Sequence, residues 1–130
     1  MNKFKIFGIA LMAAVSVGHA QDINQAKKAI DAEQFEKAKS ILKSIIQAKP
    51  TNGTASFILG NVYLTQSVED SAKIYFNNGL SATEGAKLNY IGLGQMDLDK
   101  NDVTAAQAKF LLATKDMRKK DFEEYVYVAR

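Results

Sequence analysis

Ala38, Ala72 and Ala106 stand 34 residues apart, and each is followed four residues later by a large apolar residue: Leu42, Phe76 and Phe110. Gly60 and Gly94 keep the same period, each behind a leucine, Leu59 and Leu93, and Ala26 takes the glycine's place in a first copy. Self-similarity at a fixed period of this length is the mark of stacked supersecondary units. A small residue lets two antiparallel helices approach closely, and a bulky one at the next turn fills the space between neighbours. No single helix pair buries its apolar face alone, so stacking supplies the core. Three positions sharing one period argue against a helical bundle whose alanines coincide by chance.

Helix start and stop signals agree. Asp22 with Gln25 can cap a first helix, Pro50 ends a second, and Asn101-Asp102 can open a sixth. Ser67 with Asp70, and Ser81 with Glu84, have the spacing of capping pairs. The pattern predicts helices near 22–31, 34–48, 53–65, 68–80, 83–98, 103–116 and 120–129, and no strands.

The first twenty residues read as a secretory signal peptide. Lys3 and Lys5 form the basic start, Ile6 to Val17 the short apolar core, and Gly18-His19-Ala20 the small-residue cleavage site. The alternative, an N-terminal membrane anchor, needs a longer uninterrupted apolar run. The mature domain then spans 21–130, and its expected location is the periplasm or cell envelope of a bacterium. Loss of Lys3 and Lys5 leaves 15 basic against 14 acidic residues, so the net charge falls from +3 to +1. That near-neutral balance gives no support for nucleic-acid binding. The mature chain has no segment expected to cross a membrane.

The whole sequence lacks cysteine, and its one histidine, His19, leaves with the signal. Such a chain has no thiol nucleophile, no imidazole base and none of the best transition-metal ligands. The expectation is therefore a protein that is not an enzyme, with no catalytic residue, no metal and no cofactor. A pair of carboxylates distant in sequence stays open as an acid–base couple.

Several local patterns have two readings. Asp97 to Asp102 looks like a calcium loop, but Asp102 stands where the turn needs glycine and Ala108 where a bidentate glutamate belongs, so a helix–turn–helix junction is favoured. Lys115 to Lys120 is a basic cluster that suits a helix C-terminus and an inter-helix turn. Asn52-Gly53-Thr54 matches the N-glycosylation pattern and also a turn after Pro50; the turn is favoured. The lysines and acids of 27–43 read as a solvated face with pairs such as Glu33–Lys37.

The alanine, glycine and aromatic series resembles the tetratricopeptide repeat (TPR) family of 34-residue helix–turn–helix units. In the family's register the repeats span about 19–52, 53–86 and 87–120, with a partial fourth at 121–130. Tyr63 matches the first-helix aromatic and Pro50 the closing proline, whereas Ala29, Asp97, Glu84 and Arg118 depart from the pattern. The resemblance implies an all-α, right-handed solenoid of about three repeats plus one extra C-terminal helix. It also implies that the first helices line a concave groove for a partner peptide or protein segment. Carried over by position, that groove comprises Lys27, Asp31, Thr54, Phe57, Asn61, Thr65, Leu88, Ile91 and Gln95, with Ile23, Ile30, Leu64, Leu98 and Asp99 beside them. The family's clamp for a peptide carboxylate falls on Ile23, Lys27, Ile58, Leu88 and Gly92, of which only Lys27 suits an anion; amides such as Asn61 and Gln95 suit a backbone partner instead.

At 121–130, Phe122, Tyr125, Val126 and Ala129 share one helical face that can pack on the third repeat, while Tyr127 and Val128 point elsewhere although apolar. A terminal helix should be polar outside. The second expectation is therefore self-assembly, either as part of a longer repeat protein or as a homo-oligomer through Tyr127 and Val128. An envelope enzyme or glycan-binding protein is the weakest reading.

Overall fold

The computed structural model describes residues 22–118. The expected signal segment, the helix at 120–129 and the face carrying Tyr127 and Val128 lie outside them. The described residues are all-α: α1 (Ile23–Asp31), α2 (Phe35–Ala48), α3 (Gly53–Thr65), α4 (Glu69–Leu80), α5 (Ala86–Asp99) and α6 (Val103–Thr114). They pair in sequence order as three hairpins, α1 with α2, α3 with α4 and α5 with α6. Across hairpins α2 meets α3, and α5 rests on both α4 and α3.

The three hairpin turns share one backbone geometry. Glu33, Ser67 and Asn101, at one 34-residue spacing, all take left-handed backbone, with φ of 56°, 59° and 61°. In each, that residue's N–H donates to the carbonyl three back (Ile30, Leu64, Leu98), and the next N–H donates to the carbonyl five back (Ala29, Tyr63, Asp97). This double closure satisfies the last free carbonyls of a helix and reverses the chain. Its left-handed residue is usually glycine, and a side chain there costs about 1–2 kcal/mol. That geometry corrects two expectations. Ser67 is spent in the turn, so α4 starts after Val68 without a side-chain cap. Glu33 lies between helices, so it lacks the helical spacing to pair with Lys37; Lys39 and Glu36 form an ion pair on this face at 2.5 Å.

The junctions between hairpins differ. Asn52 caps α3 through Ala55 N–H at 3.0 Å, which gives the Asn52-Gly53-Thr54 turn its role. The Glu84 carbonyl accepts from Gly53 N–H at 2.8 Å, and its carboxylate takes Lys49 Nζ at 3.0 Å. Glu84 thus ties the two inter-hairpin loops together and caps nothing. Ser81 Oγ donates back to Asn78 O, within α4's own end. Helix α5 begins at Ala86, three residues later than expected, because Gly85 adopts φ 69° against Thr54, where a side chain would strike Thr54 itself. Asp22 and Asp102 cap α1 and α6 through Gln25 and Ala105 N–H, as their positions suggested.

The core follows the periodic residues. Ala26, Ala38, Ala72, Ala106, Leu42 and Phe76 are fully buried. A methyl group added at Gly60 would collide with the Phe76 ring, and one at Gly94 with the Phe110 ring, so the two glycines stand in matching surroundings. Gly92 abuts Phe76 from the following hairpin. Phe76 is thereby held between α3 and α5.

Candidate functional site

The candidate groove residues fall into rows along α1, α3 and α5, one member per hairpin. Ile23, Phe57 and Ile91 form the deepest row. Ile23 and Ile91 are half-buried, and Phe57 is 5% exposed with its ring 6.1 Å from that of Phe76. Lys27, Asn61 and Gln95 form a middle row, the first two half-buried and Gln95 exposed. Asp31, Thr65 and Asp99 form an exposed outer row, acidic at both ends.

Hydrogen bonds preset part of this surface. Gln95 Nε2 donates to Asp99 Oδ1 at 2.9 Å, which fixes the amide one turn along its helix. Thr65 Oγ1 donates to the Asn61 carbonyl at 3.0 Å, so that hydroxyl is turned to its own backbone. Along α1, α3 and α5 these amides thus lie one turn from the apolar row, and exposed Asp31 and Asp99 one turn further on. Two of the residues expected to contact a partner belong inside the molecule. Phe57 and Leu88, each 5% exposed, are part of the hydrophobic core, the Phe57 ring lying against that of Phe76 on α4. Thr54 is half-buried against Gly85. Leu64 is half-buried on the core and Leu98 is 38% exposed.

One slot between the helices of each hairpin is filled in three ways. In the first hairpin it holds Ala29 and Ile41, and a recess of about 240 Å³ remains between Gln25, Lys28, Gln34 and Lys37. In the second, Tyr63 and Tyr75 stack at 5.5 Å, 6° from parallel. In the third, the Lys109 ammonium pairs with the Asp97 carboxylate. Lys39 and Lys43 of α2 lie 5.1 and 5.7 Å from the Tyr63 ring centre, cation–π contacts that join the first hairpin to the second. Hydrogen bonding to Tyr63 holds the Lys43 ammonium above the usual lysine range, against a smaller opposing cost of burial. The Lys39 ammonium, by its hydrogen bond, holds the Glu36 carboxyl below the usual range.

Asn89 belongs to no motif in the sequence. It is fully buried, and its Nδ2 donates to Gly53 O at 3.0 Å and Gly85 O at 3.1 Å, tying α5 to the start of α3. Gly79 leaves the space it occupies. The one available signal was a polar residue in an apolar run, which has no positional meaning until the neighbouring hairpin is placed. Among the described residues no cluster of histidine, cysteine or carboxylate side chains could hold a metal ion, and no helix is long and apolar enough to cross a membrane.

No protein-family model matches the chain, and no curated protein matches it.

Proposed function

We propose that this chain is an exported, TPR-like module of stacked helical hairpins that binds a partner peptide or protein segment along the first helices of its repeats, in the periplasm or cell envelope, and that it is not an enzyme. The observation that carries the reading is the return of one turn geometry at Glu33, Ser67 and Asn101, in phase with the glycine–aromatic contacts of Gly60 and Gly94. Hairpins that turn alike and pack alike present equivalent positions in rows, and extended rows are surfaces for binding segments of another chain. The partner surface reduces to Lys27, Asp31, Asn61, Thr65, Ile91 and Gln95, with Asp99 setting Gln95. Amides beside half-buried Ile91 suit a segment whose backbone is hydrogen-bonded and whose charge is neutral or basic toward Asp31 and Asp99.

The test replaces Asn61 and Gln95 together by alanine and compares proteins captured from envelope extract with those captured by the parent chain and by Ser44→Ala. A protein retained by the parent and by Ser44→Ala, and lost by the double variant, supports the reading. Capture that is the same for all three overturns it.

A further inference from the structure

We propose that α6 pairs with α6 of a second copy of this chain, antiparallel, to make a closed dimer. The proposal does not rest on the groove, which lies on other helices. Thr104, Ala108, Leu111 and Lys115 succeed one another at spacings of four, three and four, the seam of a two-helix contact. The corresponding positions are Glu36, Ser40, Lys43 and Gln47 in the first hairpin, and Asp70, Ile74, Asn77 and Ser81 in the second. All twelve are exposed. The first two hairpins carry mainly polar residues there, and one of them, Lys43, lies over the Tyr63 ring of the next hairpin. The third presents Leu111 at 70% exposure and, next to it, Leu112 at 46%, over a shallow recess of about 610 Å³ lined also by Ala108, Thr114 and Lys115.

The order of side chains selects the occupant. When two such helices run antiparallel about the midpoint of the seam, each Leu111 faces the other copy's Ala108, a large residue opposite a small one. Leu112 faces Gln107, and Lys115 faces Thr104, two residues from exposed Asp102, the N-cap of α6. Opposite charges therefore meet at both ends. A parallel pair would set Leu111 on Leu111 and Lys115 on Lys115. Stacking this end of one copy on the first hairpin of the next would bring the leucines and Lys115 against Gln25, Lys28, Gln34 and Lys37, burying like charges. Self-complementarity of this kind closes at two copies and does not propagate.

Sedimentation equilibrium on the full chain should show concentration-dependent dimers, weakened at least about 100-fold by Leu111→Lys. Ala108→Leu alone should weaken dimers about tenfold by setting leucine against leucine, and Ala108→Leu with Leu111→Ala should restore them by exchanging knob and hole. Because the chain has no cysteine, a mixture of Ala108→Cys and Leu111→Cys should cross-link on oxidation faster than either variant alone. A monomer at every concentration overturns the proposal. So does cross-linking no faster in the mixture. A Leu111→Lys variant whose melting temperature falls while its mass stays unchanged also overturns it, since the chain's own residues would then be covering the face.

Discussion

In the second hairpin Phe76 is fully buried, with Gly60 on one side and Gly92 of the next hairpin on the other; in the third, Phe110 rests against Gly94 and remains half-buried. The slot between their helices differs in the same sense, a stacked pair of tyrosines against an ion pair whose side chains are about a quarter exposed. Among the described residues, equivalent positions thus differ in burial according to what packs over them. Burial from two sides makes the middle hairpin depend on packing. The last hairpin depends more on polar contacts with water nearby, and these contribute little and weaken with salt.

The contrast can be broken most directly at the aromatics. Phe76→Ala should cost about 3–5 kcal/mol, the range for a buried phenylalanine, and Phe110→Ala about 2 kcal/mol because less surface is lost from the interior. Urea unfolding monitored by helical circular dichroism measures both. Equal losses would mean that the third hairpin is as tightly enclosed as the second.

The slot offers a sharper probe. Asp97→Tyr with Lys109→Tyr copies the second hairpin's solution into the third and should raise stability by about 1 kcal/mol, since a stacked aromatic pair outweighs a partly exposed ion pair. The variant should also lose the salt dependence that the Asp97–Lys109 pair confers. At the parent's Tyr63 slot the sign of the pH effect comes from Lys43. Its pKa is raised on folding, so its contribution is complete below the ordinary lysine value and disappears as pH climbs through the raised one. Tyr63→Leu should flatten that alkaline loss. Glu36 works in the opposite window: its pKa is lowered on folding, so its contribution is present above the ordinary glutamate value and is lost as pH falls through the lowered one.

The smallest effect is expected where the hairpins agree. Ser67→Gly should stabilise by about 0.5 kcal/mol, because relief of the left-handed strain exceeds the greater unfolded-state freedom of glycine. Thermal melts of Ser67→Gly and Ser67→Ala side by side check it; alanine, with a side chain and no relief, should bring no gain.

Much of the helical layout could be read directly from the chain. Small and bulky residues recur in one phase, and the caps at Asp22 and Asp102 lie where short-range hydrogen bonding puts them, whereas Asn52, read as a turn, also caps α3. Such features depend on neighbours within one or two turns. The candidate groove was legible as positions but not as surface: Asn61 and Phe57 lie one helical turn apart on α3, yet one is half-exposed and the other sealed beneath the ring of Phe76. Ser67 and Ser81 carried capping spacing, but turn closure and a Gly85 pressed against Thr54 displaced both helix starts.

Period, helix content and the location of small residues against aromatics were therefore determined by the amino-acid order itself, because they are properties of a repeating local geometry. Which of three chemistries fills the slot within a hairpin, that Asn89 links α5 to α3, that Phe57 turns inward, and that Leu111 and Leu112 face water where their counterparts are polar were decided only by the assembled hairpins. Exposure and partnership belong to surfaces tens of residues apart in the chain, and they come into being when helix packs on helix.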